Sequence, residues 1–153
     1  MTVRMGVRAK PPKLEARRIR RRLKTMMDAL GPGKDLELSV ALVTDAEIRD
    51  LNKEYLGKDE VTDVISFPLL TREEIAGLEP AWSGPPEPIG DIVISFETAE
   101  RQAAERGHKT ADEIELLAAH GLLHLFGYDH EDEAGAREMA GAERMLAGQS
   151  IIR

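Results

Sequence analysis

The chain has no cysteine, so disulfides, thiolate metal sites and cysteine nucleophiles are excluded, and the composition suits a reducing cytosol. Any metal must then be held by His, Asp or Glu. No apolar run approaches the roughly 18 residues that a membrane-spanning helix needs, and residues 1–12, MTVRMGVRAKPP, lack the apolar stretch of a signal peptide. The expectation is a soluble cytoplasmic protein with no membrane partner. Repeats and low-complexity segments are absent. Aromatic residues are scarce, at 4%, and the single tryptophan, Trp82, reads as a packing anchor within a proline-rich loop.

What is present is enough for one folded domain. A chain of 153 residues with 42% hydrophobic and 32% charged residues has the size and the apolar content to bury a core. Its net charge of -7 hides an asymmetry: residues 1–24 hold ten Lys or Arg against one Glu, so the remainder is strongly acidic. A local basic face can attract phosphates even when the whole protein is acidic.

Hydrophobic periodicity orders the chain. Val3, Met5 and Val7 alternate with arginines as a short strand, and a helix follows from Leu14 to Leu30, with Ile19, Leu23, Met26 and Leu30 at helical spacing. LELSVALV, residues 36–43, alternates as a second strand, and Thr44 with Glu47 makes a capping-box start for a helix through Ile48, Leu51 and Tyr55. VTDVISFP, residues 61–68, reads as a third strand, and Ile92–Ile94 as a fourth, buried on both faces, with Ser95 capping the next helix. Between them, residues 69–90 form a long connection rich in proline, read as a mobile segment or lid, in which Thr71 and Glu74 can open one short helix. Helices are expected over 97–106, 111–126 and 133–146, with Gly107 and Gly127 as stops. The fold class is α/β (α+β): a single domain with a small mixed sheet of about four strands covered by about five to six helices.

Chemistry concentrates in DEIELLAAHGLLHLFGYDH, residues 112–130. His120 and His124 are one helical turn apart on one face, so their imidazoles can converge on one ion, and Gly127 lets the chain turn back to bring His130 as a third ligand. Three neutral nitrogens without thiolate are the pattern of a catalytic zinc, one ion per chain, whose fourth position holds water. Nickel and copper also accept three imidazoles. The residue after His120 is Gly121, whereas zinc peptidases of the His-Glu-x-x-His type carry their general base there; peptide hydrolysis of that kind is disfavoured. The fourth histidine, His108, follows Gly107 at a predicted helix end and reads as exposed.

HGLLHLFGYDH, residues 120–130, resembles the signature of the YbeY family of bacterial metal-dependent endoribonucleases. LNKEYLGKDEVTDVISFP, residues 51–68, and IGDIVIS, residues 89–95, resemble two further family blocks, and the likeness extends over about residues 36–147, with Met139, Glu143 and Leu146 in the last helix. The resemblance implies one YbeY-like metal-hydrolase domain over residues 1–153. It implies hydrolysis of single-stranded RNA in 16S rRNA 3′-end maturation and ribosome quality control, with catalytic metal ligands His120, His124 and His130. Ribosomal RNA, the small ribosomal subunit and other ribosome-maturation factors are the implied partners.

Two positions depart from the family pattern. Leu56 stands where an arginine thought to contact RNA phosphate is usual, and Leu116 where a histidine is frequent. Lys58 or Lys53 can substitute as a cation, though not with the bidentate grip of a guanidinium. Asp129 either orients a ligand histidine or is a turn residue. Asp63 and Ser66 either line the pocket or belong to the strand, with Thr62 and Asp63 pinning its start. The arginines of the first helix are either a solvated face or a contact for rRNA backbone. Two further functions stand beside the ribonuclease: an assembly factor that binds pre-rRNA with weak or no cleavage, kept open by Leu56, and a metal hydrolase of another substrate.

Overall fold

A computed structural model describes residues 2–7, 16–31, 35–79, 84–128 and 133–150. The elements run β1 (Thr2–Val7), α1 (Ala16–Leu30), β2 (Leu36–Val43), α2 (Asp45–Leu56), β3 (Val64–Pro68), α3 (Arg72–Ala76), β4 (Glu87–Ser95), α4 (Phe96–Arg106), α5 (Thr110–Leu125) and α6 (Glu133–Ser150). The four strands make one mixed sheet in the order β1-β2-β4-β3. β1 and β2 are parallel, as are β2 and β4, while β3 lies antiparallel on β4 with Ser66 opposite Ile92.

The alternation of β2 does what its period dictates: Leu36, Leu38, Val40 and Leu42 are buried, while the residues between them are half-buried. β4 carries its apolar run to both faces. Ile92 and Ile94 join the main core, formed with Ile19 and Leu23 of α1 and Ile114 and Leu122 of α5, whereas Val93 joins a smaller cluster with Ile48 of α2 and Ile65 of β3. Each such aliphatic side chain contributes about 1.5–3 kcal/mol by leaving water. Helices α1 and α5 therefore cover one face and α2 the other, with α6 lying against α1 and α5.

Several boundaries differ from the sequence reading. β4 starts at Glu87, five residues before the apolar run, because Glu87 and Pro88 already pair with Leu36 and Glu37 of β2. β3 starts at Val64, so Thr62 and Asp63 precede it. α6 continues to Ser150. The connection over 69–90 is shorter than expected, since it holds α3, complete with the Thr71–Glu74 capping box, and the first residues of β4. Trp82 lies outside the described residues. Among the described residues, no helix is long and apolar enough to cross a membrane.

Candidate metal centre

α5 is the central element of the site. Ala111, Ile114, Ala118, Leu122 and Leu125 are buried on its core-facing side, which turns the face bearing His120 and His124 towards a cleft of about 1390 Å³. The cleft runs between α5, β3 and the segment joining α2 to β3, and Leu56, Lys58, Asp63, Ser66 and Leu116 line it with the two histidines.

Both histidines are half-buried. Their Nε2 atoms lie 3.2 Å apart, with ring planes at 78° and centroids 4.7 Å apart. Two nitrogens bound at about 2.0–2.1 Å to one tetrahedral ion would stand about 3.3–3.4 Å apart, so the pair matches the bite of a zinc site. The same distance also permits one ring to donate a hydrogen bond to the other, according to tautomer. His124 belongs to the last turn of α5, where the helix dipole favours positive charge. His130 and Asp129 lie outside the described residues.

Gly121 has a role that its neighbours set. A Cβ there would stand 3.0 Å from Ile92 Cγ2 and 3.1 Å from Ser66 Oγ, so the helix crosses the sheet too closely for a larger residue. Ser66 fixes the same crossing by donating from Oγ to the Gly121 carbonyl at 3.1 Å. At the far end of α5, Gly127 has φ +89° and its amide donates to His124 O at 3.0 Å, while Tyr128 N donates to Leu123 O at 3.0 Å. Those bonds end the helix after Leu125.

Asp63 lines the cleft, and its carboxylate is engaged in the fold. Oδ1 accepts from Val64 N at 2.7 Å and Oδ2 from Gln102 Nε2 at 3.2 Å, while its carbonyl accepts from Ser95 N at 2.9 Å. Lys58 follows Gly57, the left-handed C-cap of α2, and its loop is held by the buried Asn52, whose Nδ2 donates to Glu60 O at 3.0 Å. Leu56 and Leu116 are both exposed on the cleft's rim.

Sequence reasoning missed the ionic framework of α5. Glu115, 4% exposed, receives Arg18 on Oε1 and Arg22 on Oε2, each at 3.0 Å, and Arg18 also donates to Asp112 at 2.6 Å. These two arginines of α1 are half-buried against the acids of α5, while Arg17, Arg20, Arg21 and Lys24 are exposed. A usable signal existed, since Arg18 and Arg22 at i,i+4 and Asp112 and Glu115 at i,i+3 each form one helical face of single charge. His108 is half-buried rather than exposed, because its Nε2 lies 2.6 Å from Oε1 of the fully buried Glu113. Arg72 was also missed. Its guanidinium stacks 4.9 Å over the Tyr128 ring and pairs with Glu138 of α6, bracing the turn after α5, and no local pattern marks it.

The chain is similar to known proteins over nearly its whole length. The family model described as Endoribonuclease YbeY matches residues 7–150, reaching further towards the N-terminus than the motif blocks alone. Endoribonuclease YbeY of Anaeromyxobacter sp. (strain Fw109-5) is 46% identical over 147 residues, covering 96% of this chain and 71% of that protein. Endoribonuclease YbeY of Moorella thermoacetica is 46% identical over 138 residues, covering 88% and 86% respectively. The solution structure of TM1509 from Thermotoga maritima superposes with a TM-score of 0.64 at 26% identity, covering 97% of this chain and 88% of that one.

Proposed function

The chain belongs to the YbeY endoribonuclease family, and from that premise we propose that it hydrolyses single-stranded RNA in the α5 cleft, using one zinc ion held by His120, His124 and His130. The observation that carries this reading is the 3.2 Å separation of the His120 and His124 Nε2 atoms on the cleft floor; His130 joins them on sequence spacing. When bound, the ion would supply Lewis-acid polarisation of a phosphoryl oxygen and a water acidic enough to attack near neutral pH.

The chain's own residues supply the rest. His120 and His124 hold their rings at the bite the ion requires. Ser66 and Gly121 fix the height of α5 over the sheet, and with it the position of both rings relative to β3. Lys58, on the rim, offers a point charge to the phosphate backbone. Asp129 serves the ligand set as an acceptor for a histidine N–H, on the strength of its place beside His130. In the cell the substrate would be 16S rRNA at its 3′ end, handled with the small ribosomal subunit and other maturation factors in the cytoplasm, including during ribosome quality control.

Incubation of zinc-loaded protein with a labelled single-stranded RNA tests the reading. Cleavage that a chelator stops supports it, and His124→Ala should lower the rate by about a thousand-fold or more, a barrier increase of about 4 kcal/mol. Metal analysis finding no ion at neutral pH would defeat it. Leu56, exposed on the rim, favours a second reading, an assembly factor that binds pre-rRNA and cuts it weakly. Under that reading RNA is retained but hardly cleaved, and Leu56→Arg should raise cleavage roughly ten-fold by adding one charge-assisted phosphate contact.

A further inference from the structure

A second charged cluster lines the same cleft, and the histidine site makes no use of it. Glu113 is completely buried, yet it carries a carboxylate, which is costly unless cations attend it. Two do. Arg106, the last residue of α4, places NH1 3.3 Å from Oε1 and 3.1 Å from Oε2, with only Oε1 aligned for a hydrogen bond. His108 Nε2 approaches Oε1 at 2.6 Å. The pairing occupies one edge of the guanidinium. The Arg106 side chain is 57% exposed, and its Nε and NH2 donors make no bond among the described residues.

The placement of this cluster relative to the histidines follows from helix geometry. Glu113 and His120 are seven residues apart on α5, so they share a face and stand about 10.5 Å apart along the axis. Arg106, His108, His120 and His124 all line the cleft. The other carboxylates of this stretch of α5 do not oppose an anion, because Asp112 and Glu115 are ion-paired with Arg18 and Arg22. A guanidinium with an open fork, fixed in place by a buried acid, is pre-organised for bidentate contact with phosphate oxygens.

We propose that Arg106, clamped by the buried Glu113 and flanked by His108, is a phosphate-binding residue that grips the RNA strand about two turns of α5 away from the histidine pair. The proposal rests on the endoribonuclease reading and extends it by a substrate contact. It also accounts for a cleft that can dispense with an arginine at Leu56, since a fixed guanidinium enters from α4 instead.

Equilibrium binding of a fluorescein-labelled single-stranded RNA, measured in chelator over a salt series, tests it. Loss of one phosphate contact should flatten the slope of log Kobs against log salt by about 0.7 and weaken binding roughly ten-fold. Arg106→Gln is the direct variant. Because it strands a buried carboxylate, the double variant Arg106→Met, Glu113→Leu is measured beside it, since an apolar pair of similar volume spares the fold. Both should show the flattened slope, with KM for RNA cleavage rising by more than kcat falls, while Arg106→Lys should keep the slope and lose less affinity. Wild-type slope and KM in the double variant would overturn the proposal and leave Arg106 as a counter-ion for Glu113 only. Absence of any salt-dependent RNA binding by the wild-type protein would instead bring down the endoribonuclease reading, and this inference with it.

Discussion

The two halves of α5 solve opposite problems on one helix. The first half buries Glu113 and Glu115 and half-buries Asp112, and pairs them with Arg18 and Arg22 of α1 and Arg106 at the end of α4, with the His108 imidazole against Glu113. The second half carries no acid; it sets His120 and His124 with their Nε2 atoms converging, over a glycine that lets the helix sink onto the sheet. One half pairs its acids with arginines that tie α1, α4 and α5 together, and the other directs two imidazoles at one another in the cleft. Stability and chemistry thus reside on adjacent turns, and separate mutations should affect them separately.

The largest expected effect tests that separation. Glu115→Ala leaves Arg18 and Arg22 without their shared carboxylate in a poorly hydrated contact, and breaking such a pair costs about 3 kcal/mol or more. For a chain of this size the melting temperature should fall by roughly 6–12 °C. Zinc affinity, measured calorimetrically at a temperature where the variant is folded, should stay close to wild type. An equal loss of zinc affinity and of stability would erase the distinction between the two halves.

Gly121→Ala probes the second half with a smaller perturbation. The added Cβ would meet Ile92 Cγ2 at 3.0 Å and Ser66 Oγ at 3.1 Å. Overpacking of that kind costs about 1–3 kcal/mol, against a gain of up to about 1 kcal/mol in helix propensity. The net should be a loss of up to about 2 kcal/mol in chemical denaturation. Unlike Glu115→Ala, it should also weaken zinc binding, because α5 must lift away from β3. A stabilised variant with unchanged zinc affinity would show that the helix–sheet distance does not set the histidine geometry.

How far the sequence foretold this arrangement follows the same division. The His120 and His124 pair was legible because a spacing of four is a local rule of helices, and the alternation of Leu36, Leu38, Val40 and Leu42 was legible for the analogous reason in strands. Partners distant along the chain were not: Arg18 and Asp112 are 94 positions apart, and although each helix shows a face of single charge, no local pattern says which face meets which. Gly121 was noticed for the glutamate it lacks, while its neighbours Ile92 and Ser66 emerge only once β3 and β4 are in place. The start of β4 was hidden because Pro88 and Gly90 are poor strand formers, and only pairing with β2 makes them one.

The smallest expected effect lies outside α5 and shows what a partly exposed acid contributes by contrast. Asp45, the first residue of α2, is 23% exposed, and its carboxylate accepts from Ser95 Oγ at 2.5 Å, Thr98 Oγ1 at 2.7 Å and Arg101 NH2 at 2.9 Å. Burial pushes its pKa up, but those hydrogen bonds and the charge of Arg101 together hold it below the ordinary 3.8. A lowered folded-state pKa means that the stabilisation is complete above the unfolded value and disappears as pH falls through the folded one. Asp45→Asn should therefore cost under about 1 kcal/mol at neutral pH, and the gap from wild type should close below pH 3.8. Glu115→Ala, by contrast, should remain the less stable variant throughout the neutral range. A gap for Asp45→Asn as wide as that for Glu115→Ala would mean that burial is not what sets the first half of α5 apart.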